Sequence, residues 1–217
     1  AAAGWSEATP SEQAFATVPA WQRWTCVGLQ AVAVVVYYGI FAAPLAYAVL
    51  TAMAVMADRV EVGTALWLST ALTFAFWPAL LGLSIATKWL VIGRYCPGQY
   101  PVWGFYYFRW WLVNRFQALS WSHMFVGTPL MNLYYRAMGA KIGSDVTICT
   151  PFCSAFDLVM IGDRSSVGPE THLLGCRVEN GMLMIGRINI GTDCFVGMHA
   201  NLGLDTNMAQ GSRLDDM

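Results

Sequence analysis

The sequence predicts two unlike parts in one chain: a membrane helical hairpin followed by an all-β parallel β-helix built of hexapeptide repeats. Three observations predict it. Two long stretches, 25–57 and 63–87, carry no charge at all. Of the 217 residues, 57% are hydrophobic and only 12% charged, against about 25% charged in an average soluble domain. Beyond Lys141 the apolar residues recur every six positions, a period that neither an α-helix nor an alternating strand possesses.

The composition excludes several classes. Ten Trp, nine Tyr and eleven Phe cannot be hidden behind a surface that has only 12 basic and 13 acidic residues, so a membrane segment is the economical reading. The near balance of charge argues against a nucleic-acid partner, which requires a basic face. The apolar content argues against disorder. The six cysteines, Cys26, Cys96, Cys149, Cys153, Cys176 and Cys194, include no C-x-x-C pair and are too sparse for a disulfide scaffold at this length. Cys149 and Cys153 are spaced C-x-x-x-C with no clustered His, which reads as packing; no metal site is expected.

Residues 1–23 are small and polar, without the basic start and apolar core of a cleaved signal, and read as a linker. The hairpin is placed at 24–92. Its first stretch would be about 50 Å long as one helix at 1.5 Å per residue, so it must tilt, kink at Pro44 or project beyond the hydrocarbon. The turn is Asp58-Arg59-Val60-Glu61, and the second crossing contains Pro78. Only Arg59 is basic in that turn, whereas Lys88, Arg94, Arg109, Arg115, Arg136 and Lys141 follow the second crossing with no acidic residue among them. Basic flanks favour the cytoplasm, so both chain ends and the β-helix are expected there, with the chain integral to a bacterial-type inner membrane.

Residues 93–127 form an aromatic and basic segment, with eight aromatic rings between Trp103 and Phe116 interleaved by Arg109 and Arg115. Rings carrying basic neighbours suit the headgroup layer; a protein core is the competing reading. A short helix over 128–139 has Thr128 as N-cap, Pro129 at its first position and Gly139 as its stop.

The repeats occupy 140–206. Ile142, Ile148 and Ser154 share one phase, Ile161, Val167, Leu173, Glu179 and Ile185 a second, and Ile190, Val196 and Leu202 return to the first. Gly follows the repeat position at 143, 162, 168, 186, 191, 197 and 203. One apolar side chain per face pointing into a prism, with small neighbours at the corners, gives this signature. Phase slips near 155–160 and 185–190 should mark loops leaving the prism, and another loop is expected on Glu179-Asn180-Gly181. Residues 207–217 read as an incomplete tail, which makes the chain a possible fragment.

The segments KIGSDVTI, MIGDRSSVGPETHLLG and INIGTDCFVGMHANLGLDT resemble the hexapeptide-repeat acyltransferase superfamily, whose β-helix is left-handed and whose enzymes are trimeric. The order of parts, a membrane hairpin, then KWLVIGRYCPGQYPVWGFYYFRWWLVNR, then NLYYRAMGAKIG leading into the repeats, is similar to the membrane-bound terminal region of non-ribosomal peptide synthetases of the poly-lysine synthetase type. The resemblance runs from about Trp24 to Thr206. It implies amide-bond formation from an aminoacyl thioester held on the phosphopantetheine of a partner carrier domain, with no cofactor bound by this chain itself. It also implies upstream adenylation and carrier domains as partners, membrane lipid around the hairpin and a homotrimer through the β-helix. This sequence departs from the superfamily in ending before a closing coil, which puts a trimeric active site in question.

Transfer of an acyl group to an amine needs a base near the acceptor and a donor for the developing oxyanion. The chain has three His. His199 lies between repeat positions, where hexapeptide enzymes place an outward base, and is the first candidate; an ordinary surface His is the bland alternative. His172 is the second. At 27 residues apart, one and a half coils of about 18, the two are expected on different faces. Glu170 or Asp193 could orient either ring, and Asn201 could donate to an oxyanion, although Asn also suits turns and side-chain ladders. His123, beside Trp121, reads as a membrane-edge residue. Two functions follow: an acyltransferase-like piece of a peptide synthetase, or an inactive β-helix that serves as a membrane-anchored assembly or docking scaffold. A transport path is disfavoured because neither apolar stretch holds an ionisable residue.

Overall fold

The structure is a computed structural model that describes residues 10–216, apart from a few side chains of the first helix. Nine residues of the expected linker lie outside the described part. The rest of it is helical: α1 spans Pro10–Thr17, and α2, Ala20–Met56, begins before the expected hairpin boundary and runs unbroken through Pro44. After the turn at Asp58, α3 spans Val62–Thr87 and passes through Pro78. Both helices are long and apolar enough to cross a membrane, and the most apolar window of α2 has none of its residues buried within the protein. A core helix of a soluble domain would be covered; these face outward, which fits the chain for membrane association.

At its end α3 widens into a π-helical turn, Lys88–Ile92, closed by Gly93 at φ 67°. The chain then forms β1, Gly98–Pro101, and α4, Phe105–Leu119. Helix α4 packs against both long helices. Its rings divide between the two expected environments: Tyr106 stacks on Tyr100 at 3.8 Å and Val113 enters a cluster with Ile92, Tyr95 and Leu183, while Phe105 is exposed. A 3-10 turn, Ser122–Phe125, leads to α5, Pro129–Ala137. Thr128 stands at the N-cap, but its hydroxyl donates back to the Phe125 carbonyl at 2.7 Å and caps no helical N–H. The buried stripe Met131, Tyr134, Tyr135 and Met138 lays α5 over the start of the strand region.

That region is made of short strands: β2, Lys141–Ile142; β3, Thr147–Ile148; β4, Val159–Ile161; β5, Ser166–Val167; β6, His172–Leu173; β7, Cys176–Glu179; β8, Met182–Ile185; β9, Ile188–Ile190; β10, Phe195–Val196; β11, Asn201–Leu202; β12, Thr206–Met208; and β13, Arg213–Leu214. They form parallel ladders β2–β4–β9–β12, β3–β5–β10–β13 and β6–β11, the last extended by a bridge from Cys153 to Leu173. Each of the first three circuits of the chain adds one rung to each ladder, and β12 and β13 add a fourth to two of them. Ile148, Ile161, Val167, Leu173, Ile188, Ile190, Val196 and Leu202 point inward and are buried. Glycine columns permit the stacking: a Cβ on Gly162 would lie 2.6 Å from the Gly191 carbonyl carbon, closer than any side chain tolerates. Buried hydroxyls are satisfied along the stack, as Ser165 donates to the Gly191 carbonyl and Thr171 to that of Gly197.

Paired residues lie 19 apart between the first and second circuits, 29 apart between the second and third, and 18 apart between the third and fourth. The excess in the middle step is an antiparallel hairpin, β7–β8, turned by Asn180 and Gly181, both at positive φ as a tight primed turn requires. Glu179 and Ile185 therefore belong to this hairpin and not to the repeat phase expected for them. The hairpin pairs in turn with β1, giving the sheet β1–β8–β7. The 207–217 stretch also differs from expectation, since β12 and β13 continue two ladders.

One buried contact fastens the helices to the strands. Lys88 is fully buried, and its Nζ donates to Asp157 Oδ1 at 2.7 Å; Asp157 Oδ2 accepts the Tyr95 N–H at 2.9 Å. Gly139, at φ 107°, is required beside them because a Cβ there would overlap Asp157 Oδ1. Asp157→Ala strands the lysine without a partner and is expected to cost about 3–5 kcal/mol, read as a lowered unfolding midpoint by Trp fluorescence in detergent. The pair Lys88→Met with Asp157→Leu should recover most of that loss; a double variant as unstable as the single one would contradict the assignment.

Candidate active site

A cavity of about 500 Å³ opens between the end of α4, the 3-10 turn and the first two circuits of the strand region. Its position follows from local geometry. Trp121 takes a left-handed conformation, φ 49°, which reverses the chain after α4 and turns His123 toward the strands. On the opposite wall the outward residues of successive rungs line up: the Cys153–Leu173 bridge sets Phe152 beside His172, and His172 pairs with Asn201. The Phe152 and His172 rings are stacked, centroids 4.5 Å apart and 13° from parallel. That stacking holds the half-buried imidazole against the cavity wall.

Two further polar residues belong to the wall. The Gln117 amide donates to the Cys153 carbonyl at 2.9 Å, so it serves structure. The Ser154 hydroxyl is buried within the wall beside the Cys176 thiol and is not presented to the cavity, so it too serves packing. The site thus combines two imidazoles with walls of Phe152, Leu174 and Trp121.

The candidate residues separate into three places. His172 lines the cavity, with Asn201 next to it on the outward face. His199 and Glu170 sit at stacked corners, both at positive φ, with Nδ1 3.2 Å from Glu170 Oε2 and both side chains largely exposed; neither lines the cavity. Asp193 occupies a different corner, where it receives two hydrogen bonds from Arg164 at 2.7 and 2.8 Å that hold its carboxyl below the usual range. It orients neither imidazole.

The expectation that His172 and His199 lie on different faces is corrected by the hairpin. Ten of the intervening residues, Cys176–Ile185, form the β7–β8 hairpin, so Asn201, two places after His199, pairs directly with His172. Sequence alone does not mark His123 or Ser154 as cavity residues. A lone His in an aromatic stretch and a Ser at a repeat position carry no signal until the fold brings them to one cavity.

The buried thiols near this site are inert. Burial pushes Cys176 up to about 11 and drives Cys153 higher still, so both remain protonated at pH 8, while Cys96 is exposed. Iodoacetamide at pH 8 should label Cys96 in the folded protein and spare Cys153 and Cys176 in a peptide map; equal labelling of all three would contradict the packing.

Over 124 residues the chain is 41% identical to delta-poly-L-ornithine synthetase of Acinetobacter baumannii (strain AB307-0294), a stretch that covers 57% of this chain and 9% of that protein. No family model matches the chain, and no solved structure matches it.

Proposed function

We propose that this chain is an acyltransferase-like terminal membrane region of a synthetase that joins amino acids through amide bonds. The observation that carries the reading is its relation to a protein named as a polymer-forming synthetase; the cavity then supplies a place for the chemistry. The three ladders, with rung spacings of 18 and 19 residues outside the hairpin, support a left-handed parallel β-helix of hexapeptide coils as the architecture.

The substrates are an aminoacyl thioester, delivered by a phosphopantetheine carrier domain upstream of this chain, and an amine. At about 500 Å³ the cavity is within the range of sites that enclose small molecules. His172, steadied by Phe152, takes the proton that the attacking nitrogen loses. As the C–N bond forms and the C–S bond breaks, the imidazolium returns that proton to the departing thiolate. His123 lies on the opposite wall to bind the acceptor. The basic flanks after α3 support a cytoplasmic position for the strand region, where adenylation and carrier domains would dock and a homotrimer could form.

His172→Ala in the full-length synthetase, reconstituted in vesicles, is expected to lower product formation by about 10²–10⁴-fold with carrier loading unchanged. His199→Ala should leave the rate near native, because its partner Glu170 and its corner lie outside the cavity. Native product formation by His172→Ala and His123→Ala together would instead mark the strand region as a membrane-anchored assembly scaffold.

A further inference from the structure

A second cavity, of about 240 Å³, lies between α2 and α4 and shares no lining residue with the candidate active site. One wall is apolar, formed by Val34 of α2 and Leu112 of α4. The other presents Arg115 together with Tyr37 and Tyr38. The Arg115 guanidinium rests over the Trp111 ring, 5.5 Å from its centroid. Among the described residues no carboxylate pairs with it, and neither Tyr37 nor Tyr38 has a hydrogen bond to its hydroxyl. The sequence from Lys88 to Ser144 contains no acidic residue that could neutralise this site.

Depth along the helix decides what the cavity meets. Tyr38 is about twenty residues before the Asp58 turn, hence about 30 Å along α2 at 1.5 Å per residue, which matches the thickness of the hydrocarbon core. With the turn at one surface, Tyr37, Tyr38 and Arg115 stand at the headgroup level of the other. Tyr rings favour that layer, and basic pockets beside membrane helices there capture anionic headgroups. The guanidinium is oriented by its ring, which suits a phosphate oxygen.

We infer that the cavity between α2 and α4 is a binding site for an anionic phospholipid, its phosphate on Arg115 with the hydroxyls of Tyr37 and Tyr38 and its acyl chains running toward the bilayer. The site goes beyond the proposed transfer reaction and requires only that the two helices be embedded in a bilayer. A lipid held there ties α4, whose Asn114, Gln117 and Ala118 line the active-site cavity, to the membrane helix α2.

The test uses the full-length protein in mixed micelles, titrated with fluorescent dioleoylphosphatidylglycerol. Native protein should bind it with at least about tenfold preference over dioleoylphosphatidylcholine, as expected for loss or gain of one charge-assisted contact. Arg115→Gln should remove that preference, Arg115→Lys should keep part of it, and Arg94→Gln should leave it intact. Tyr37→Phe with Tyr38→Phe provides a second variant that weakens binding without changing charge, and matching unfolding midpoints verify that each variant is folded. Native-like phosphatidylglycerol binding by Arg115→Gln would overturn the inference, as would equal affinity for phosphatidylcholine or full displacement by glycerol 3-phosphate at equal concentration. Binding is read on the resting protein, so these outcomes are independent of whether the chain catalyses acyl transfer.

Discussion

A lysine at the end of a membrane-type helix, with no side-chain exposure, must find a counter-charge or lose its own. Lys88 finds Asp157, which stands in the 3-10 turn Phe156–Leu158 between the first and second circuits of the strand region. The Trp89 ring covers the ammonium at 3.3 Å, and the Trp89 indole N–H donates to the Ala137 carbonyl at the end of α5. A single carboxylate thus fixes α3 through Lys88 and the loop after it through the Tyr95 N–H. Removing either charge leaves the other desolvated, so the pair acts less as added stability than as a constraint on position.

The other contacts between the two parts are arranged around that constraint. The Tyr134 hydroxyl is 3.3 Å from Ser84 of α3 and donates to Ser120 after α4 at 3.4 Å, joining three helices at one buried point. Tyr135 donates to the Thr150 carbonyl and meets Phe156 edge-on at 4.9 Å. On the other side, β1 completes a sheet with the β7–β8 hairpin and carries Tyr100 against Tyr106 of α4. Helix α4 is held at both ends, and the cavity that faces His172 is the space left where it departs from the strands.

The hairpin is the feature with the widest consequences. It lets a strand stack with short, regular circuits reach sideways to the helices, and it resets the spacing between rungs. That reset sets Asn201 beside His172 and His199 over Glu170, while Asp193 goes to the Arg164 corner.

Local chemistry was readable in the sequence. Uncharged runs of 33 and 25 residues must become long apolar helices, because nothing in them can end a helix or satisfy water except two prolines that a helix can carry. The six-residue spacing correctly turned Ile148, Ile161, Val167, Leu173, Ile190, Val196 and Leu202 inward, since burial of every sixth side chain needs no knowledge of the neighbouring circuit. What the sequence could not determine is anything that depends on how far the chain travels between circuits. Glu179 and Ile185 keep the period by coincidence yet leave the stack, so the faces carrying His172 and His199 were misjudged. Lys88 looked like a flank charge and Asp157 like a loop residue, 69 positions apart; His123 and Ser154 looked like an edge residue and a repeat position. Their roles arise from proximity, and proximity between distant residues is decided by packing and by ladder register, not by local propensity.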